Sequence, residues 1–181
     1  MALSGFKLVL FLSLFFLSIQ ILAQDMGDSL LVRYHYNHDY NYERDTILKP
    51  LFHPDSLIRN ASHYIGTAYI SNGKEPGGFD CSGFTFYNFK RYGIYLPYYS
   101  FQQAEVGHQI PTTEAKRGDL IVFKGHDITA TKAGHVGIVA DVNAGRIKFI
   151  HASTSHGVRY DFADGPYFKE RFMMVRRIVE K

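Results

Sequence analysis

Gly77-Gly78-Phe79-Asp80-Cys81-Ser82-Gly83-Phe84 is the stretch on which the reading of this chain turns. It holds the single cysteine among 181 residues. The two leading glycines let the backbone turn tightly and let a ligand approach it closely. A helical pattern follows: Phe84, Phe86, Tyr87 and Phe89 recur at helical spacing, and Tyr92-Gly93 reads as the stop. Cys81 is therefore expected at a helix N-terminus, where exposed N–H groups and the helix dipole favour thiolate over thiol. A lone cysteine is commonly a small buried hydrophobe. Here the chain reads as exported, and a single thiol in an oxidising compartment has no intramolecular partner. The nucleophile reading is the stronger one.

Upstream of this stretch, residues 1–23 read as a secretory signal. Lys7 supplies the positive charge, Leu8 to Leu22 is almost wholly apolar, and Ala23 offers a small residue for cleavage. The run is shorter than the roughly 20 residues a spanning helix needs. An uncleaved anchor is the alternative. Residues 24–53 form a tyrosine-rich extension, with Tyr34, Tyr36, Tyr40 and Tyr42 among polar side chains. It reads as a polar arm. His35 and His38 have no matching cysteine or carboxylate cluster to form a metal site. Pro54 to Ile65 reads as a helix with a stripe of Leu57, Ile58, Ala61 and Ile65, closed by Gly66. Ser71 to Pro76 is a turn-rich loop leading to Cys81.

Downstream, Ser100 looks like an N-cap with Gln103 in capping-box position, opening a short helix ended by Gly107. The periodicity then changes. Asp119 to Phe123, His135 to Ala140, Ile147 to His151, Gly157 to Tyr160 and Phe172 to Ile178 read as strands. Short turns between successive strands imply antiparallel pairing. The predicted class is α+β, with N-terminal helices packed against a central antiparallel sheet. A net charge of +3 is too weak a bias to argue for nucleic acid.

This layout offers the sulfur its partners. If the strands opening at His135 and ending at His151 form a hairpin centred near residue 144, His135 lies opposite residue 152 or 153. His135 and His151 then share one end of the sheet. Cys81 docked against that end gives nucleophile, base and orienter. His156 is the substitute for His151 if the register differs. A zinc site built from Cys81 and two histidines is the rival chemistry.

At this point the chain resembles the NlpC/P60 cysteine peptidases, which cut the peptide stems of bacterial peptidoglycan. The resemblance runs from about Ala61 to Ile178. Phe79-Asp80-Cys81-Ser82-Gly83-Phe84 looks like the family's nucleophile motif. Gly118-Asp119-Leu120 is similar to its following strand, Gly134-His135-Val136-Gly137-Ile138 to its base motif, and Ile150-His151-Ala152-Ser153 to its third, polar position. The resemblance implies a papain-like α+β fold with Cys81 as nucleophile, His135 as general base and His151 as orienter. It also implies Tyr69, twelve residues before Cys81, as an active-site tyrosine, and Asp80 and Ser82 as substrate contacts. Asp80 serves equally as a helix cap. Backbone N–H groups would hold the oxyanion, and Asp119 would be structural.

No cofactor or metal is implied. The implied partner is the peptidoglycan stem peptide, met by a monomer outside the membrane, in the periplasm or cell envelope. The bond between D-glutamate and the diamino acid is the family's usual target. SH3-like or LysM wall-binding modules, frequent in the family, have no counterpart here. The alternatives are a non-catalytic peptidoglycan-binding protein and a papain-like amidase or acyltransferase acting on another amide.

Overall fold

The structure, a computed structural model, describes residues 51–180. Residues 1–23, expected to be a signal, and residues 24–50 of the expected tyrosine-rich extension lie outside the described residues. Among those described, no helix is long and apolar enough to cross a membrane.

Helix α1 spans Pro54–Ser62. Pro54 sits in its first turn, where the missing N–H costs nothing. The His53 side chain accepts from the Asp55 N–H at 3.3 Å. Leu57, Ile58 and Ala61 are buried as the stripe predicts. The helix ends three residues earlier than its periodicity suggests, and Ile65 is half exposed. The tertiary structure decides this end. Gly66, at φ +87°, gives its N–H to the Val158 carbonyl at 2.9 Å instead of continuing the helix.

The approach to Cys81 is more ordered than a loop. Strand β1 (Lys74–Glu75) pairs antiparallel with β2 (Gly78–Phe79). Gly78 is buried, and a Cβ there would run into the Ile70 side chain. At Gly78 the absent side chain therefore serves packing beneath Ile70 rather than approach of a ligand. Helix α2, Cys81–Lys90, follows directly. Eight of its ten residues are buried, so it is enclosed on nearly all sides rather than amphipathic.

Helix α3, Ser100–Gln103, corrects the capping-box reading. Ser100 is the first helical residue, and its hydroxyl donates to the Ala133 carbonyl at 3.2 Å. Tyr99 is the N-cap and makes no side-chain cap bond. Gln103 is fully buried. Its amide donates to the Ser82 carbonyl at 3.0 Å and the Pro97 carbonyl at 2.7 Å, and its oxygen accepts from Thr85 Oγ1 at 2.6 Å. A buried amide must be satisfied on both sides. Interior partners on α2 outcompete the helix terminus for it.

Six strands make the main sheet: β3 (His108–Ile110), β4 (Leu120–Phe123), β5 (His135–Asn143), β6 (Arg146–Ser153), β7 (Gly157–Phe162) and β8 (Phe172–Arg177). Their order is β3-β8-β4-β5-β6-β7, and every pair is antiparallel. Strand β3 carries no apolar alternation, so the sequence hides it; β8 recruits it as an edge partner. One face of the sheet packs on α1 and α2 through Leu120, Val122, Val136 and Ile138. The other buries Ile121, Phe123, Val139, Phe149 and Val175 beneath Phe168, which lies on the short helix α4 (Pro166–Lys169). Both faces of β4 are covered, which explains its unbroken apolar run.

Asp119 precedes β4 and anchors it. Its carboxylate takes two bonds from Arg177, at 3.1 and 3.0 Å, and one from the Lys116 N–H at 2.7 Å. The β5–β6 hairpin turns at Ala144-Gly145, both with positive φ. Ile138 pairs with Ile150, a register that continues to residue 153 opposite His135, as the hairpin reading expects.

Candidate active site

Cys81 occupies the first turn of α2, and Asp80 caps it. The Asp80 Oδ1 accepts from the Gly83 N–H at 2.6 Å and from Ser82 Oγ at 3.1 Å. The Asp80 N–H donates to the Gly73 carbonyl at 2.9 Å, tying the cap to the β1–β2 hairpin. Residue 83 must be glycine because a Cβ would strike that same Gly73 carbonyl. A chain of local necessities thus aims the sulfur. It points at the start of β5, with Sγ 4.0 Å from the Gly134 carbonyl.

His135 opens β5 beside that carbonyl. Its Nε2 lies 2.8 Å from His151 Nδ1 on β6. His151 is 1% exposed, and its Nε2 lies 2.9 Å from Asp161 Oδ2 on β7. Arg159 Nη2 donates to the other oxygen, Asp161 Oδ1, at 2.9 Å. Three adjacent strands therefore carry a hydrogen-bonded line from His135 to a carboxylate at the sheet edge.

Tyr69 is held next to Phe79 by an isolated bridge and stands near both Cys81 and Asp80. Burial, with these two neighbours, pushes its hydroxyl up to about 12. Ser82 is 5% exposed, and its one hydroxyl hydrogen is shared between Asp80 Oδ1 at 3.1 Å and the Tyr98 carbonyl at 2.9 Å. His156 is exposed and bonds Ser155.

The electrostatics reverse one expectation. Desolvation, reinforced by the charge of Asp80, pushes the Cys81 thiol up to about 11. The N–H groups of Val136, Ser82 and Cys81 around the sulfur oppose this and do not overcome it. Helix-terminus stabilisation is a surface-scale effect of about 1 kcal/mol, whereas desolvating a charge costs more. Burial and the neighbouring His151 lower His135 to about 3. His151 is lowered as well, because desolvation outweighs its bond to Asp161. Desolvation thus favours the neutral thiol of Cys81 and the neutral imidazole of His135.

Asp161 behaves differently. Burial alone would raise it, but the hydrogen bonds and charges of His151 and Arg159 together hold it below the usual carboxylate range. Neither Asp161 nor Arg159 stands out in the sequence as a site residue. The available signal was slight: opposite charges two apart on a strand, one of them, Arg159, directly across from His151. Among the described residues no group of three or more His, Cys, Asp or Glu is arranged to hold a metal ion.

A cysteine at a buried helix N-terminus beside a strand-borne histidine pair, on an α+β frame, is the arrangement of cysteine hydrolases. The model of the NlpC/P60 family matches residues 66–177, and the chain belongs to that family. It is 35% identical over 147 residues to a probable endopeptidase of Haemophilus influenzae, covering 78% of this chain and 86% of that one. It is 32% identical over 138 residues to the murein DD-endopeptidase MepS/murein LD-carboxypeptidase of Escherichia coli, covering 70% and 69%. Among solved structures, an NlpC/P60 family protein from Bacillus cereus matches with a TM-score of 0.65 at 30% identity. That match covers 73% of this chain and 42% of the other. The NlpC/p60 domain of the peptidoglycan hydrolase SagA matches with a TM-score of 0.58 at 26% identity, covering 70% and 99%.

Proposed function

We propose that the protein is a cell-wall cysteine endopeptidase that hydrolyses amide bonds in peptidoglycan stem peptides. The observation that carries this reading is the placement of Cys81, at the start of α2, against the Gly134 carbonyl that immediately precedes His135, with His135 bonded to His151. The names of its relatives supply the substrate class.

Cys81 is the nucleophile and His135 the general base. With desolvation favouring the neutral thiol and imidazole, proton transfer from Cys81 to His135 accompanies attack of the sulfur on the amide carbonyl. The C–S bond forms, and the oxyanion is held by N–H groups at the α2 N-terminus. His135 returns the proton to the leaving amine as the C–N bond breaks. Water, deprotonated by His135, then cleaves the thioester and restores the thiol. His151 orients His135. Tyr69 and Asp80 border the sulfur on the substrate side. Ser82, with its hydroxyl engaged by Tyr98, shapes that wall from beneath.

The bond between D-glutamate and the diamino acid is the first reading. The murein DD-endopeptidase relative makes the D,D bond the second. The site of action is the periplasm or cell envelope, reached through the N-terminal signal. The test is digestion of purified peptidoglycan with the protein and with Cys81→Ala, products read by mass spectrometry. New stem fragments from the intact protein alone are expected, and their masses name the bond. No fragments from folded, thiol-intact protein would overturn the cell-wall reading.

A further inference from the structure

We propose that Asp161, held on its other oxygen by Arg159, is a positioning residue that fixes the tautomers of His151 and His135, leaving the lone pair of His135 on Nδ1, the one ring nitrogen outside the relay. The inference rests on the assignment of His135 as base.

The argument follows the donors along the line. Arg159 can only donate, so Asp161 Oδ1 accepts from it at 2.9 Å. Asp161, ionised beside that guanidinium, has no proton to give. Its Oδ2 must therefore accept at 2.9 Å, and His151 Nε2 carries hydrogen. A neutral imidazole has one N–H. His151 Nδ1 then holds a lone pair, and the 2.8 Å contact requires His135 Nε2 to donate. His135 in turn has its hydrogen on Nε2 and its lone pair on Nδ1. The opposite tautomer would block the base with a proton. An orienting histidine alone is symmetric between the two states. The carboxylate at the sheet edge breaks the symmetry, and Arg159 occupies its second oxygen.

The design also serves the charged intermediate. When His135 takes the Cys81 proton, its positive charge faces the lone pair of His151, which is polarised by Asp161 two strands away. The ionisable groups facing this line are Cys81, Asp80 and Tyr69 near the sulfur, and Arg159 and Asp161 on β7. Of these only Arg159 and Asp161 touch its far end.

Asp161→Asn is the informative variant. Arg159 attracts the amide oxygen, which turns the NH2 group toward His151 Nε2. That bond now requires a lone pair on Nε2, and the whole line reverses, placing hydrogen on His135 Nδ1. The experiment is 15N NMR of the imidazoles in the full protein, together with kcat and KM on peptidoglycan fragments. In the wild type both rings should show Nε2–H. In Asp161→Asn both should show Nδ1–H, with kcat lowered about 100-fold or more and KM within about threefold. Arg159→Met keeps the carboxylate, so both rings should retain Nε2–H.

A wild-type His135 protonated on Nδ1 would overturn the proposal, whether or not the variant folds. So would an Asp161→Asn protein that keeps both Nε2–H forms and full kcat. The NMR reading needs no substrate. If peptidoglycan is not cleaved yet the tautomers behave as stated, the relay stands and only the substrate assignment falls.

Discussion

His135 and His151 are sixteen residues apart in the chain and 2.8 Å apart between Nε2 and Nδ1. The β5–β6 hairpin produces this contact, because its turn at 144–145 sets a register that brings both histidines to one end of the sheet. The contact is part-buried, and desolvation favours the neutral form of both rings. That neutrality shapes how the protein should respond to acid, to alkylating reagents and to mutation.

Acid should destabilise the fold well above the usual carboxylate range. His135 binds a proton near 6.5 when unfolded and only near 3 when folded. Below 6.5 the unfolded state takes up protons that the native state does not. The stability present above 6.5 is therefore lost progressively as pH falls toward 3. At pH 5 the His135 contribution to the loss is at most about 2 kcal/mol, since the ring keeps partial solvent contact. Asp161, held low, adds its own loss only as pH drops below 3.8. Urea unfolding at pH 7 and pH 5 checks this; equal free energies at the two values would contradict it.

Cys81 should be alkylated slowly at neutral pH in the absence of substrate. With the thiol pushed up to about 11, roughly one molecule in 10⁴ holds a thiolate at pH 7. Iodoacetamide rates should rise about tenfold per pH unit between 7 and 10. A rate plateau from pH 6 to 8 would instead mean a resting thiolate–imidazolium pair.

Gly83→Ala should destabilise the protein despite improving helix propensity. On an isolated helix the change would gain about 1 kcal/mol. Here the new Cβ meets the Gly73 carbonyl, which is already fixed by the Asp80 N–H at 2.9 Å. A net loss of about 2 kcal/mol is expected from this overpacking, with a fall in peptidase activity as Cys81 shifts. Thermal melts and turnover on stem peptides measure both, and a raised melting temperature would disprove the packing argument.

Arg177→Met should cost about 3 kcal/mol or more, because it strands the carboxylate of Asp119, which is 4% exposed. The hydrogen bonds to Asp119 also raise the Arg177 guanidinium above its ordinary value. The substitution lies outside the catalytic line, so folded protein should retain its alkylation profile. Chemical denaturation reads the stability; a change under 1 kcal/mol would show that the pair is dispensable.

Much of this molecule was legible in its sequence. Local patterns determined the α2 start at Cys81, the apolar run of β4, and the β5–β6 hairpin with its register. Each is written in residues close in the chain: a cap, an unbroken apolar run, a two-residue turn. The tertiary structure alone decided the rest. It ended α1 at Ser62 because Gly66 found a carbonyl on β7. It took Gln103 inward because α2 offered buried partners. It made β3 a strand because β8 presented an open edge. It reversed the expected ionisation of Cys81, since desolvation depends on everything packed around the sulfur and not on the helix that carries it. It also placed Asp161 at the end of the histidine line, a role set by strand pairing across β6 and β7 that no spacing along the chain encodes.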